Sequence, residues 1–242
     1  MTANIREPKK LAKVFADELK HLVGSNLKSV FLYGSIATGE FFSSKSNLNF
    51  LVVLDKLEPL ILAKLTERSS RWARKFKVEP LFLTKQEILD ALDAFPMEFL
   101  EMKDKHILIY GENIFRKLKI SRKDLRLQCE NNLRGKLILL RQGYLHDKRQ
   151  VKGLLAHSAG AIVVLLRSIL YLKKDKVPLK KEEVISQACE QFDLDPQPFL
   201  KALELRHRFI YLKTKELHYI FQNYIEELKK LTEKVDALKT RS

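Results

Sequence analysis

Two short apolar segments, separated by a run of small and polar residues, constrain the fold of this chain more than any other feature. Val30–Tyr33 and Asn49–Leu54 are long enough for buried strands and too short for buried helices. Gly34 follows the first segment directly, and glycine lets a backbone turn tightly or approach a ligand closely. The pattern therefore predicts two strands of a small sheet with a polar loop between them.

The rest of the first half alternates helix and strand patterns. Apolar residues recur with helical spacing before Gly24 and again in Pro59–Phe76, where basic residues share one face of the predicted helix. Thr84 and Glu87 have the spacing of a capping box, which opens a short helix. The predicted helix before Gly24 spans Lys10–Val23. Two further strands are predicted at Lys77–Leu83 and His106–Tyr110. This alternation predicts an α/β domain with a small mixed sheet over residues 1–118.

The second half contains helical patterns and no strand pattern. Ser121 begins a long helical pattern that runs to about Asp147, and Asp195-Pro196 has the form of an N-cap followed by proline. Further helices are predicted at Gly153–Leu172, Lys180–Phe192, Pro196–Arg208 and Glu216–Leu238. About five helices in succession predict an all-α helical bundle over residues 119–242.

The chain is strongly basic, with 45 lysine and arginine residues, 30 aspartate and glutamate residues and a net charge of +15. The second half carries most of this excess, because 25 of the basic residues and 15 of the acidic residues lie in residues 121–242. A positive field favours polyanionic partners, which are nucleotides, nucleic acid or an acidic protein. Lysines that only solvate helix faces give the same composition, since the charges are interspersed along the chain.

The longest apolar stretch, Gly153–Leu172, is interrupted by polar residues and by Arg167. A membrane span needs roughly 20 nearly uncharged apolar residues, so the interruptions favour a buried helix. The charged N-terminal segment lacks the apolar core of a secretory signal. Cys129 and Cys189 have neither metal-ligand spacing nor the pattern of a disulfide framework. We therefore expect a cytoplasmic protein with reduced thiols and no membrane contact.

Polar residues mark the entrance of the second apolar strand. Asn47 and Asn49 stand two apart, so a strand points their side chains to the same face. Glu79 stands at the start of the third predicted strand, where the following proline keeps the backbone extended. Gly34 and Ser35 precede this group across the loop, in a turn whose N–H groups can form an anion-binding nest.

This arrangement resembles the nucleotidyltransferases of the DNA polymerase β type, in particular small bacterial and archaeal members with a C-terminal helical bundle, including the aminoglycoside nucleotidyltransferases. The family signature is an apolar strand, Gly-Ser, a short turn and Asp-x-Asp at the next strand, with a third carboxylate on a later strand. In this chain Gly34-Ser35 matches, Asn47-Leu48-Asn49 occupies the Asp-x-Asp position, and Glu79 is the candidate third acid. The resemblance covers residues 10–118 closely and the bundle loosely.

The resemblance implies transfer of a nucleotidyl group from a Mg²⁺-bound nucleoside triphosphate, such as ATP, to an acceptor hydroxyl. Two Mg²⁺ ions about 3.5–4 Å apart serve such a reaction, and carboxylates hold them. Asn47 and Asn49 are neutral, and each lost charge pair removes about 4 kcal/mol of attraction or more at contact distance in a medium of effective dielectric near 20. We therefore expect weakened or absent catalysis, with Glu79 as the remaining candidate metal ligand. A naturally degenerate member and a deliberate change of both acids both agree with this sequence.

Several basic residues are candidates for nucleotide binding beside Gly34 and Ser35. Lys45 lies two residues before the Asn-x-Asn motif, where it could reach a triphosphate. Arg134, Lys136 and Arg141 lie on the first long bundle helix, and positions 134 and 141 share a helix face. The helical domain closes over the nucleotide or acceptor in the family, so the resemblance implies phosphate contacts from these three residues.

The sequence leaves three functions open. The first is nucleotidyl transfer to a hydroxyl on a small molecule, an RNA or a protein. The second is a pseudoenzyme that binds nucleotide or a protein partner without turnover, which the loss of both acids favours. The third is a basic nucleic-acid-binding or antitoxin-like module that uses the helical bundle, with an affinity that falls steeply as salt rises.

Overall fold

The computed structural model describes residues 7–36, 48–76, 78–174, 176–207 and 210–239, and it leaves out the side chains of residues 35, 75, 76 and 79. The chain divides into two compact units. The first comprises Met1–Asp93 and Glu98–Ile120, and the second comprises Ala94–Met97 and Ser121–Ser242.

The first unit is built on a mixed sheet, as the alternating patterns predict. In the described residues its four strands are β1 at Leu27–Tyr33, β2 at Leu48–Leu54, β3 at Val78–Thr84 and β4 at His106–Gly111. Their order is β3-β2-β1-β4. Strand β1 is antiparallel to both β2 and β4, whereas β2 and β3 are parallel. The parallel pair needs a crossover connection, and a helix provides it.

Helices cover both faces of this sheet because the strands carry apolar residues on both sides. The helices are α1 at Pro8–Val23, α2 at Pro59–Phe76, α3 at Lys85–Asp90 and α4 at Pro96–Asp104. Val30 and Leu32 pack with α1 and α2, where Trp72 is fully buried. Phe31, between them in sequence, points to the other face and packs with α3, α4 and Phe115. This alternation follows from the period of two along a strand.

Local signals in the sequence fix several element ends. The predicted capping box is present, since Thr84 Oγ1 accepts from the Glu87 amide and Glu87 Oε2 accepts from the Thr84 amide. Gly24 ends α1 with a positive φ of 57°. Helix α4 was not among the predicted elements, and the strands begin or end one to three residues from their predicted bounds.

The second unit is an all-α bundle of five helices within the described residues. They are α5 at Arg122–His146, α6 at Val151–Tyr171, α7 at Lys181–Gln191, α8 at Gln197–His207 and α9 at Thr214–Asp236. Ser121 caps α5 by accepting from the Asp124 amide. Asp195 accepts from the Gln197 amide and so starts α8, as its position before proline predicts.

Helix α6 is the most apolar element of the chain. Together with the preceding turn it forms the one helix, Lys148–Tyr171, that is long and apolar enough to cross a membrane within the described residues. Most of its apolar window is buried inside the protein, as the predicted core helix would be. Its polar Ser158 shares a hydrogen bond of 2.9 Å with the hydroxyl of Tyr224 on α9. The helix thus serves as the centre of the bundle.

Both cysteines lie in the bundle core and neither forms a disulfide. Burial raises the pKa of the Cys189 thiol to about 12, and nearby carboxylates act in the same direction. A thiol with so high a pKa is a poor nucleophile at neutral pH. Packing is therefore the role of Cys189, as its lack of a metal or disulfide pattern indicates.

An ion-pair cluster fastens the end of α9 to α5. Glu130 accepts from Arg126 at 2.9 Å and from Arg134 at 2.8 Å. Arg134 also lies 3.2 Å from Asp236, and Arg126 donates to the last carbonyl groups of α9. The Glu130 carboxylate is 15% exposed and holds two guanidinium groups. Its pKa is lowered chiefly by the hydrogen bond from Arg134, so the ionised form is stabilised in the folded protein.

A Glu130→Gln variant should lower the free energy of unfolding by about 1–3 kcal/mol near neutral pH, since it removes the charge that joins two arginines. A lowered pKa in the folded state contributes stability above the ordinary value of 4.5, and the contribution disappears as pH falls through the lowered pKa. The difference from the unsubstituted protein should therefore shrink in acid. Urea unfolding at several pH values measures it. Glu190→Gln, on an exposed position of α7, is the control, and equal losses for the two variants would contradict the role of Glu130.

Candidate functional site

Gly34 forms a turn at the end of the central strand β1. Its φ is +82°, a conformation that favours glycine, and the one-turn helix Gly34–Ile36 begins there. A Cβ atom at this position would lie 3.0 Å from Nδ2 of Asn49. The predicted motif residues Gly34 and Asn49 are therefore neighbours in space, and a side chain on the glycine would press against the Asn49 amide. Ser35 continues this turn, and its side chain lies outside the described part of the structure.

Asn49 stands where three strands meet at one edge of the sheet. It pairs with Tyr33 on β1 and, across the parallel strands, with Glu79 on β3. Neighbouring strands lie about 4.8 Å apart, so positions 49 and 79 are adjacent along the backbone ladder. Asn49 is half-buried. The sheet thus brings together three of the predicted site positions, which are 34, 49 and 79, although they are far apart in sequence.

The described residues at this edge do not fit a centre of two Mg²⁺ ions. Mg²⁺ prefers oxygen ligands with carboxylate charge. Asn49 is neutral, and in register with it the sequence supplies the single acid Glu79. No group of three or more His, Cys, Asp or Glu side chains in the described residues could hold a metal ion. The electrostatic requirement of two-metal chemistry is therefore not met by this part of the site.

A cavity of about 430 Å³ adjoins the turn. Its apolar wall comes from Ile36, at the end of the turn, and Ile107 on β4, and the first residues of α1 complete it. Lys9 and Lys10 lie among these residues, and Lys10 pairs with Glu7 at 3.2 Å. The cavity therefore combines an apolar wall with the cationic side chains of Lys9 and Lys10, and it lies beside the backbone turn. No linear pattern predicts this cavity, because its lining comes from the start of α1, the turn and β4, which are far apart in sequence.

His106 also lies at this edge, since it pairs with Tyr33 on the other side of β1. Both of its ring nitrogens are engaged. Nδ1 lies 3.0 Å from the backbone carbonyl oxygens of Met102 and Lys103. Nε2 lies 2.9 Å from Nδ2 of the Asn113 side chain. The ring packs against Phe115 in the core. His106 therefore holds β4 to its flanking segments, in line with the absence of ligand spacing around it.

Two predicted site residues, Asn47 and Lys45, lie outside the described residues. Arg134, Lys136 and Arg141 belong to α5 of the second unit. Arg134 is engaged by Glu130 and Asp236, whereas Lys136 is half-buried and Arg141 is exposed. Their roles as phosphate contacts stay predictions.

A small mixed sheet with a glycine turn beside Asn49, followed in the chain by a helical bundle, is a nucleotidyltransferase-like architecture. Among solved structures the chain is similar to the crystal structure of spectinomycin adenyltransferase AAD(9) from Enterococcus faecialis with ATP and spectinomycin. The TM-score is 0.56 at 16% sequence identity, and the match covers 91% of this chain and 98% of that one. No protein-family model and no curated protein matches the sequence. At this level of identity the similarity establishes the fold, and it confirms the predicted α/β domain followed by a helical bundle.

Proposed function

We propose that this chain binds a nucleoside triphosphate at the Gly34 turn and that its capacity for nucleotidyl transfer is weakened or lost. The class reaction is transfer from the Mg²⁺-bound nucleotide to an acceptor hydroxyl. The observation that carries the proposal is the packing of Gly34 against Asn49, next to position 79. A glycine turn of this kind supports phosphate binding, and the neutral amide of Asn49 supports the loss of transfer, because the class reaction needs a carboxylate there.

The fold supports nucleotide binding as the part of this function that the chain retains. The similar adenyltransferase was crystallised with ATP. A glycine turn such as the one at Gly34 can present backbone N–H groups to phosphate oxygens without a metal. The adjoining cavity with Ile36 and Lys9 offers apolar and cationic contacts to such a ligand. Lys45, Arg134, Lys136 and Arg141 are the proposed further phosphate contacts.

The missing charge of the site bears on whether the chain is an active enzyme or a pseudoenzyme. An active enzyme requires Glu79, Asn47 and Asn49 to hold Mg²⁺, whereas a pseudoenzyme needs the nucleotide pocket alone. The loss of charge favours the pseudoenzyme, because metal attraction falls with each missing carboxylate. A cytoplasmic location and an acidic protein partner are part of the same proposal.

Calorimetric titration with ATP, GTP, CTP and UTP, each with and without Mg²⁺, tests this function. Binding that does not depend on Mg²⁺ is the expected result for a pocket that has lost its metal ligands. Binding that requires Mg²⁺ would instead indicate an active enzyme and direct the search to an acceptor. Absence of binding for all four nucleotides would contradict the nucleotide proposal.

A Gly34→Ala variant should weaken nucleotide binding at least tenfold. The added methyl group would meet Asn49 Nδ2 at 3.0 Å, and alanine disfavours a φ of +82°, so the turn would have to change shape. Gly24→Ala is the matched control, because Gly24 also has a positive φ but no atom within 4 Å of the added Cβ. The same titration measures both variants. Equal affinities for the two would show that the turn does not contact the nucleotide.

A further inference from the structure

The positive charge of the first unit is concentrated on one layer of helices. By sequence, α1 and α2 together carry nine lysine and arginine residues and three carboxylates. The remainder of that unit carries eleven basic and twelve acidic residues. Both helices pack on the same face of the sheet. The layer of α1 and α2 therefore accounts for the whole net positive charge of the unit by sequence, and the remainder of the unit is slightly negative.

Some of these basic side chains line a groove between the two helices. It encloses about 270 Å³, and its lining includes His21 from α1 and Arg68 and Arg71 from α2. Trp72 forms its floor and is fully buried. Lys64, Arg68 and Arg71 follow the spacing of four and three residues that puts side chains on one helix face. The row of basic residues therefore extends along α2 beyond the groove itself.

The carboxylate that lines this groove is already engaged. Glu18 Oε2 accepts from Trp72 Nε1 at 2.9 Å, and Oε1 lies 3.8 Å from Arg71. Arg68 and Lys64 are exposed and form no ion pair with any residue in the described ranges. Arg68 and Arg71 both line the groove, so an anion placed between them is attracted by both. The guanidinium group binds phosphate with two parallel hydrogen bonds.

We propose that this groove, defined by His21, Arg68 and Arg71, binds nucleic acid through its phosphate backbone. The charge of the α1 and α2 layer complements a polyanion, and the row from Lys64 to Arg71 offers contacts to successive phosphates. A membrane surface fits less well, because the aromatic residue of the groove, Trp72, is buried and so cannot act as an interfacial anchor. The proposal does not depend on nucleotide binding at Gly34.

The position of the groove relates it to the Gly34 edge of the sheet. Helix α2 ends at Phe76 and leads directly into β3, whose residue 79 is in register with Asn49. The row of basic residues on α2 therefore runs toward the strand entrances that form the candidate nucleotide site. A polynucleotide seated along α2 would extend toward that edge.

Fluorescence anisotropy with a labelled RNA of about 12 nucleotides, a length within the range that single-strand-binding sites cover, tests the proposal on the full chain. An Arg68→Ala/Arg71→Ala variant should bind at least tenfold more weakly at low salt. Its slope of log affinity against log salt should be smaller by about two, since two phosphate contacts are lost. Lys173→Ala/Lys174→Ala removes the same charge from exposed positions of the second unit and should change affinity much less.

A Glu18→Gln variant separates binding from a structural effect. Glutamine still accepts from Trp72 but removes the negative charge beside Arg71, so RNA affinity should rise a few-fold. Equal weakening by the two double variants would overturn the assignment of the groove, as would RNA binding that does not respond to salt. Binding to vesicles of anionic lipid that depends on Arg68, without binding to RNA, would also overturn it. Thermal melting verifies that each variant is folded.

Discussion

Nucleotide binding should become Mg²⁺-dependent in an Asn47→Asp/Asn49→Asp variant. Two unit charges about 4 Å apart attract by about 4 kcal/mol at an effective dielectric near 20, and the double charge of Mg²⁺ doubles this for each new carboxylate. After discounting for solvent, we expect Mg²⁺ to strengthen triphosphate binding at least tenfold in the variant and to have little effect on the unsubstituted chain. Parallel calorimetric titrations with and without Mg²⁺ measure this difference.

The thermal stability of the same variant provides a second test of Mg²⁺ binding at this site. Position 49 is adjacent in register to Glu79, so a carboxylate there brings two acids close together when no metal is present. The metal-free variant should therefore melt at a lower temperature than the unsubstituted protein, and Mg²⁺ should restore the loss. Asn47→Ala/Asn49→Ala is the matched control, since it removes both amides without adding charge. A control that gained the same Mg²⁺ dependence would place the metal elsewhere.

The sequence predicted the fold well because its signals are local. Periodicity placed the bundle helices to within one or two residues, and the capping box at Thr84 begins α3 as expected. Helix α4 gave no such signal. It is short, and after Pro96 its buried residues are Met97, Phe99 and Met102, so its apolar spacing does not stand out from the surrounding segment.

The site could be predicted in part for a similar reason. Gly34 and Asn49 belong to one linear pattern, which can be recognised without a fold. The pairing of Asn49 with Glu79 depends on the register of two parallel strands joined by a helix, and no local residue fixes that register. The basic groove between α1 and α2 was harder to predict from the sequence than the site. Charge counted by halves assigns most of the excess to residues 121–242, and the smaller excess of the first unit stands out only when α1 and α2 are seen to pack on one face of the sheet.

A Gly111→Ala variant should be the most destabilised of the glycine variants considered. Gly111 ends β4 with a φ of +81° and pairs with Ser29 on β1. A Cβ atom there would overlap the carbonyl oxygen of Lys28 and lie 2.9 Å from the Cα of Ser29. Both obstacles are backbone of the central strand, which β2 holds on its other side, so neither can move aside cheaply.

Gly24→Ala separates backbone strain from steric overlap, the two effects that destabilise Gly111→Ala. Gly24 precedes β1 with a φ of +57° and has open space around the added Cβ, so its loss reflects backbone strain of about 1–3 kcal/mol. Gly111→Ala bears a similar strain and the overlap as well, so we expect it to cost about 2–3 kcal/mol more. Urea unfolding compares the two variants. Equal costs would mean that β1 and β4 can separate freely at this point.

The consequence of Gly111→Ala should extend to the opposite end of β1. That strand ends in the Gly34 turn, and β4 is its partner along most of its length. If the overlap displaces β4, the cavity wall at Ile107 and the turn at Ile36 lose their common support. Nucleotide affinity should then fall in Gly111→Ala and stay unchanged in Gly24→Ala, although neither residue lies at the proposed site. Unchanged affinity in both variants would show that the turn is held by β2 alone.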